Sequence, residues 1–123
     1  MAGDDETEPS DGFDEDMLRE LAELVGPDGM EAALDTFEAD LKQGVAGLEA
    51  ALAARDAAAL RRHAHRVRGL LSQFGAVAAG ARAAAIEVAP DNDAFAACPG
   101  LVACAPGIPA RLRAMAARLA APG

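Results

Sequence analysis

The chain has two histidines, His63 and His65, and both lie in RRHAHRVRGLLSQFGA, residues 61–76. Arg61, Arg62, Arg66 and Arg68 surround them in a protein of formal net charge −9. An imidazole can serve as base, metal ligand or nucleophile, and spacing helps decide which. An α-helix turns about 100° per residue, so two residues apart the histidines do not share a face and cannot readily chelate one metal. Chelation would take a spacing of four, or a third ligand from elsewhere. With His65 set at zero, Arg61 lies about 40° and Arg68 about 60° to one side, and Gly69 about 40° to the other. Ser72 is about 20° away, two turns on. The apolar stripe of the same helix is centred about 140° from His65, which therefore points to solvent or the rim. His63, about 60° from the stripe, belongs at the edge of the core.

Gly69 costs a helix interior about 1 kcal/mol relative to Ala, in a segment otherwise rich in alanine. Its place beside an exposed imidazole suits the close approach of a partner. Flanking arginines attract an anion, phosphate above all, and their charge favours the neutral ring. A neutral ring nitrogen is the nucleophile that covalent catalysis through His requires. Exposed nucleophile, cations and cleared approach together point to a phosphoryl acceptor.

Elements with one apolar stripe each must hold this segment. Residues 14–25 predict a helix, with Phe13, Met17, Leu21 and Leu24 at spacings of four, four and three, before GPDG breaks the chain. Residues 29–54 carry the longest periodic signal: Met30, Leu34, Phe37, Leu41, Val45, Leu48 and Leu52. Asp56 is a candidate N-cap for the histidine helix, whose stripe is Leu60, Ala64, Val67, Leu71 and Phe74 before Gly75. Residues 76–89 predict a helix with Val77, Ala81, Ala84 and Val88 on its buried face, ended by Pro90. DNDAFAACPGLVACAPG, rich in Gly and Pro, carries no assignable pattern and reads as a long connection. A last helix begins near Pro109, with Ile108, Leu112, Met115 and Leu119 as its stripe. The expected architecture is all-α: an antiparallel four-helix bundle with an additional short N-terminal helix. Residues 1–12, acidic and without periodicity, predict a disordered tail, leaving residues 13–121 as one domain.

The acidic balance argues against nucleic acid and against anionic membranes as partners. No apolar run reaches the roughly 18 residues that span a bilayer, and MAGDDETEPSDG is the reverse of a signal peptide's start. A cytoplasmic location follows as the expectation. Cys98 and Cys104 lack the spacing of a redox or zinc motif and are read as ordinary reduced thiols.

AHRVRGLLSQFGA resembles the signature of histidine-containing phosphotransfer (HPt) domains: His, any residue, an aliphatic, Lys or Arg, Gly, small residues, then an apolar residue with Gly and commonly Ala. His65, Val67, Arg68, Gly69, Phe74, Gly75 and Ala76 fill those places. Ile86 and Glu87 match the aliphatic–Glu pair that often closes the next helix. Leu70 and Leu71 depart from two positions that are usually small, and Ala79 and Ala83 stand where larger apolar residues are common. The resemblance spans about residues 13–120. It implies an intermediate carrier in a His–Asp phosphorelay rather than an autonomous kinase, with His65 taking a phosphoryl group from a receiver's aspartyl phosphate and passing it to another receiver. It implies response-regulator receiver domains and a hybrid histidine kinase as partners, a monomer, and no cofactor bound here, the Mg²⁺ belonging to the receiver. Arg68 would stabilise phosphate charge, Gly69 would admit the receiver, and Arg61 and Ser72 are further candidates for phosphate binding or docking. Met17, Leu18 and Leu21 are candidates for apolar docking contacts.

Plainer roles attach to several neighbours. His63 is expected to pack or cap at the core edge, Arg62 and Arg66 to form a solvated face, and Glu87 to make a salt bridge or reach the docking rim. A different class of function also fits: an adaptor or inhibitor that binds and blocks a receiver or kinase, with a histidine that is never phosphorylated. A metal-binding bundle fits least, because paired inward Glu-x-x-His spacings are absent.

Overall fold

The computed structural model of the chain describes residues 12–120. The acidic tail expected over residues 1–12 lies outside them, except for Gly12. Helix α1 runs Glu15–Ala54, α2 Ala57–Gln73, α3 Val77–Val88, α4 Asp91–Cys104 and α5 Ile108–Ala120, with a 3₁₀ turn Ala105–Gly107 between the last two. No strand occurs among the described residues.

Caps and breakers set these boundaries. Asp14 opens α1 by accepting from the Met17 amide at 3.1 Å, and Asp56 opens α2 by accepting from Ala59 at 3.0 Å. Arg55, left-handed at φ 55°, returns its amide to Ala51 and Leu52, so only two residues separate α1 from α2. Its guanidinium lies 4.3 Å over the Phe95 ring. Gly75 makes the α2–α3 turn at φ 72°, where a Cβ would also lie 3.1 Å from the Asp14 carbonyl. The Asp14 amide donates to the Gly75 carbonyl at 2.7 Å, tying the start of α1 to this corner.

Helix α1 packs against α2 and α5, α2 against α3, and α3 against α4, so the arms close around one core. The α1 stripe fills it as the periodicity predicts: Met30, Leu34, Phe37, Leu41, Val45 and Leu48 are buried. Leu60, Ala64, Val67, Leu71 and Phe74 answer from α2, with the Phe37 and Phe74 rings 4.7 Å apart. The two helices pack tightly where α1 has no side chains. A Cβ on Gly44 would stand 2.6 Å from Val67, and one on Gly47 would stand 2.4 Å from the His63 ring. His63 is therefore half-buried against bare α1 backbone, at the core edge where its angle places it.

Helix α1 itself is broken where GPDG is expected to break the chain: Gly26 (φ 77°, ψ 172°) is non-helical and Pro27 follows, so the stretch before it and the long helix after it meet across a kink. The structure departs from the sequence reading in two elements. Helix α3 buries Ala79, Gly80, Ala83 and Ile86, while Val77 and Val88 face solvent. In a helix this rich in alanine the two valines mislead, because small residues are what close approach to α2 needs. The stretch expected to be a connection is α4 and the 3₁₀ turn. Asp91 and Asp93 sit in the first turn of α4, where carboxylates favour a helix, and Pro99 is exposed on its outer face. Taken as one stretch, α4, the 3₁₀ turn and α5 (Asp91–Ala120) are long and apolar enough to cross a membrane by length and composition alone, a test that core helices of a bundle also pass. Ala94, Phe95, Cys98, Leu101, Leu112 and Met115 account for much of that apolarity by packing into the bundle.

Candidate functional site

Burial of Leu60, Ala64, Val67 and Leu71 turns the opposite face of α2 outward. His65 stands on that face with its side chain 68 % exposed. Across the α2–α3 groove, burial of Ile86 fixes the rotation of α3 and brings Glu87 to the imidazole. Glu87 Oε1 lies 2.8 Å from His65 Nδ1. Its other oxygen, Oε2, accepts from Arg68 Nε. Arg68 Nη2 also lies 3.1 Å from His65 Nδ1. A carboxylate thus ties the imidazole to the guanidinium one turn further along α2.

The Glu87 side chain is only 18 % exposed. Burial works against its charge, but the hydrogen bonds from Arg68 and His65 outweigh burial and hold the carboxyl below its ordinary value. An ionised carboxylate is an acceptor only. The 2.8 Å contact is therefore a hydrogen bond when Nδ1 carries the proton; Arg68 Nη2, itself a donor, is then a neighbour of Nδ1 and not its hydrogen-bond partner, and the Nε2 lone pair is free. No side chain among the described residues bonds Nε2.

The other residues singled out in the sequence are distributed as follows. Gly69 is exposed on α2, and a Cβ added there would meet nothing within 4 Å, so internal packing does not require a glycine. Arg61 is turned away to the α3–α4 corner, where Nη2 donates to the Ala89 carbonyl and to Asp91 Oδ1, both at 2.7 Å. Its charge is shared there with Asp91. Ser72 faces Gly80, about 10 Å along the helix from His65, at the rim rather than at the imidazole. Met17 is exposed and Leu21 half-buried, whereas Leu18 is 1 % exposed in the core and offers no docking surface. Among the described residues, no group of three or more His, Cys, Asp or Glu could hold a metal ion.

Glu87 is the member the sequence reading left outside the site. Its signal was the Ile86–Glu87 pair, but only the register of α3 against α2 shows that it meets His65.

These features define a helical bundle that presents one imidazole, backed by an acid and a guanidinium, on an exposed helix face. Residues 32–122 match the family model of the Hpt domain, and the chain belongs to that family. Its role is histidine phosphotransfer in phosphorelays, in company with the receiver domains and histidine kinases of two-component systems. No match was found among the curated proteins or the solved structures compared with the chain.

Proposed function

We propose that this protein is a phosphorelay carrier that accepts a phosphoryl group on His65 Nε2 from the aspartyl phosphate of one receiver and yields it to an aspartate of another. The observation that carries the reading is the Glu87–His65 contact at Nδ1, on an imidazole whose side chain is 68 % exposed.

The chemistry follows from that arrangement. With Nδ1–H held by Glu87, the Nε2 lone pair attacks phosphorus in line. The N–P bond forms as the acyl P–O bond breaks, and the receiver's carboxylate leaves with the bonding pair. The ring keeps its Nδ1 proton and becomes a phosphorylated imidazolium, whose positive charge Glu87 offsets at 2.8 Å. Arg68, one turn away and half-exposed, supplies positive charge toward the phosphoryl oxygens. Gly69 leaves the receiver's backbone room to approach, and Met17, Leu21 and Ser72 are the candidates for further contacts with the docked receiver. Magnesium belongs to the receiver's acidic pocket. Reversal of the same steps sends the phosphoryl group onward.

The test is phosphotransfer from phosphorylated receiver domains of the same organism to wild type and to His65→Gln. Acid-labile, base-stable label on the wild type alone supports the carrier. Binding that survives His65→Gln with no label on either protein would establish the non-phosphorylated adaptor instead.

A further inference from the structure

The arginines of α2 separate into two classes by partner. Arg61 and Arg68, on the α3 side of His65, are each neutralised, by Asp91 at 2.7 Å and by Glu87. Arg62 and Arg66 lie on the α1 side, about 60° and 100° around the helix from His65. Both are exposed, and among the described residues neither has a carboxylate within ion-pair range. The Arg66 Nη2 donates to Gln43 Oε1 on α1 at 3.3 Å, a neutral partner that orients the guanidinium and leaves its charge intact. Gly69 lies on this same flank with open space beyond its backbone.

That flank runs against the rest of the molecule. The chain has 20 Asp and Glu against 11 Lys and Arg, so an acidic partner is repelled by most of its surface. Like charges at i and i+4 are unfavourable on a helix, yet Arg62 and Arg66 stand there without a neutralising acid. A partner that approaches over this side of the imidazole meets positive charge that no acid among the described residues neutralises.

We propose that Arg62 and Arg66 are the specificity-determining cations of the docking face, selecting a receiver that carries carboxylates beside its phosphorylation pocket where it covers the α1 flank of His65. The proposal rests on the phosphotransfer reading and replaces the expectation that these two residues are only a solvated face. Their charge steers and orients the encounter and takes no part at the phosphorus. Arg68 and Glu87 serve the reaction, while Arg62, Arg66 and Gly69 serve recognition.

Two donors separate docking from chemistry. Phosphoramidate, a small donor, needs no docking face. The second donor is whichever phosphorylated receiver domain of the same organism loads the wild type fastest. For Arg62→Glu/Arg66→Glu, loading of His65 by phosphoramidate should stay within about twofold of wild type. Its kcat/KM with the receiver should fall by about tenfold or more at low salt. Added salt should slow the wild type and leave the variant nearly unchanged. Arg62→Lys/Arg66→Lys should keep most of the wild-type rate. An equal loss with both donors would overturn the proposal by placing the arginines at the reaction, and unchanged transfer from the receiver would overturn it directly. Faster transfer in the reversed variant would also overturn it, pointing to the chain's own acidic residues 4–11 as the occupant of this flank. Label from phosphoramidate with none from any receiver would remove the docking proposal and leave the reactive imidazole standing. Absence of label from both donors would remove the phosphotransfer reading, and the proposal with it.

Discussion

Replacing Glu87 probes the site without touching the nucleophile. In Glu87→Gln the amide oxygen can still accept from Nδ1–H, but the charge that faces both the imidazole and Arg68 is gone. A hydrogen bond to a charged group contributes about 1.5–3 kcal/mol when shielded from water. His65 is 68 % exposed, so screening reduces its share to about 1 kcal/mol. Loss of the carboxylate opposite the developing imidazolium adds a comparable amount. The sum, about 1–2 kcal/mol, corresponds to a transfer rate about 5- to 30-fold slower. Glu87→Ala removes the acceptor as well and should be slower still. Rapid-quench measurement of label reaching His65 reads the effect. Because the loss arises at the ring, phosphoramidate and a receiver donor should show it equally, unlike the Arg62 and Arg66 variants. Transfer within twofold of wild type in both Glu87 variants would refute the reasoning. So would ¹⁵N spectra of the wild type that place the neutral imidazole's proton on Nε2.

Further consequences follow from the same contacts. The Glu87 carboxyl is held below its ordinary value of 4.5, so its contribution to stability is complete above about pH 4.5 and is lost as the pH falls through the lower folded value. The gap in Tm between wild type and Glu87→Gln should therefore be widest near neutrality and close toward pH 3. Gly47→Ala drives a methyl to 2.4 Å from the His63 ring and should cost about 1–3 kcal/mol by denaturant unfolding. Adding His63→Ala should restore part of that loss, and additive losses in the double variant would contradict the contact. Burial, reinforced by the charge of Glu49, pushes the Cys98 thiol up, and the residue is 0 % exposed. A thiol reagent should reach Cys98 only through opening of the bundle, and rapid labelling of Cys98 in the Cys104→Ser variant would contradict its burial.

The parts legible in the sequence were those governed by local periodicity. Leu60, Ala64, Val67 and Leu71 define one side of α2 strongly enough to place His65 outward and His63 at the core edge, as found. The Asp56 cap and the Gly75 turn were likewise local. Where alanine dominates, apolar contrast vanishes: Val77 and Val88 drew the α3 face to the wrong side, and Ala79, Gly80 and Ala83 fill the interface by being small. Helix α4 was hidden because Pro99 and Gly100 read as breakers, although an exposed proline can be carried within a packed helix. The register between helices has no local signal. It pairs Arg61 with Asp91, 30 positions away, and His65 with Glu87, 22 positions away. It therefore decides which cations near the imidazole are free, and that separated Arg62 and Arg66 from Arg61 and Arg68.

The central claim is that Nε2 of His65 carries the phosphoryl group. The measurement that meets it most directly is ³¹P and ¹⁵N NMR of the ¹⁵N-histidine-labelled protein after loading, with tryptic mapping of the phosphorylated peptide. The expected result is a single acid-labile phosphorus bonded to Nε2 of His65, with Nδ1 still protonated. Phosphorus on Nδ1, on His63 or on an acid-stable hydroxyl ester would contradict it.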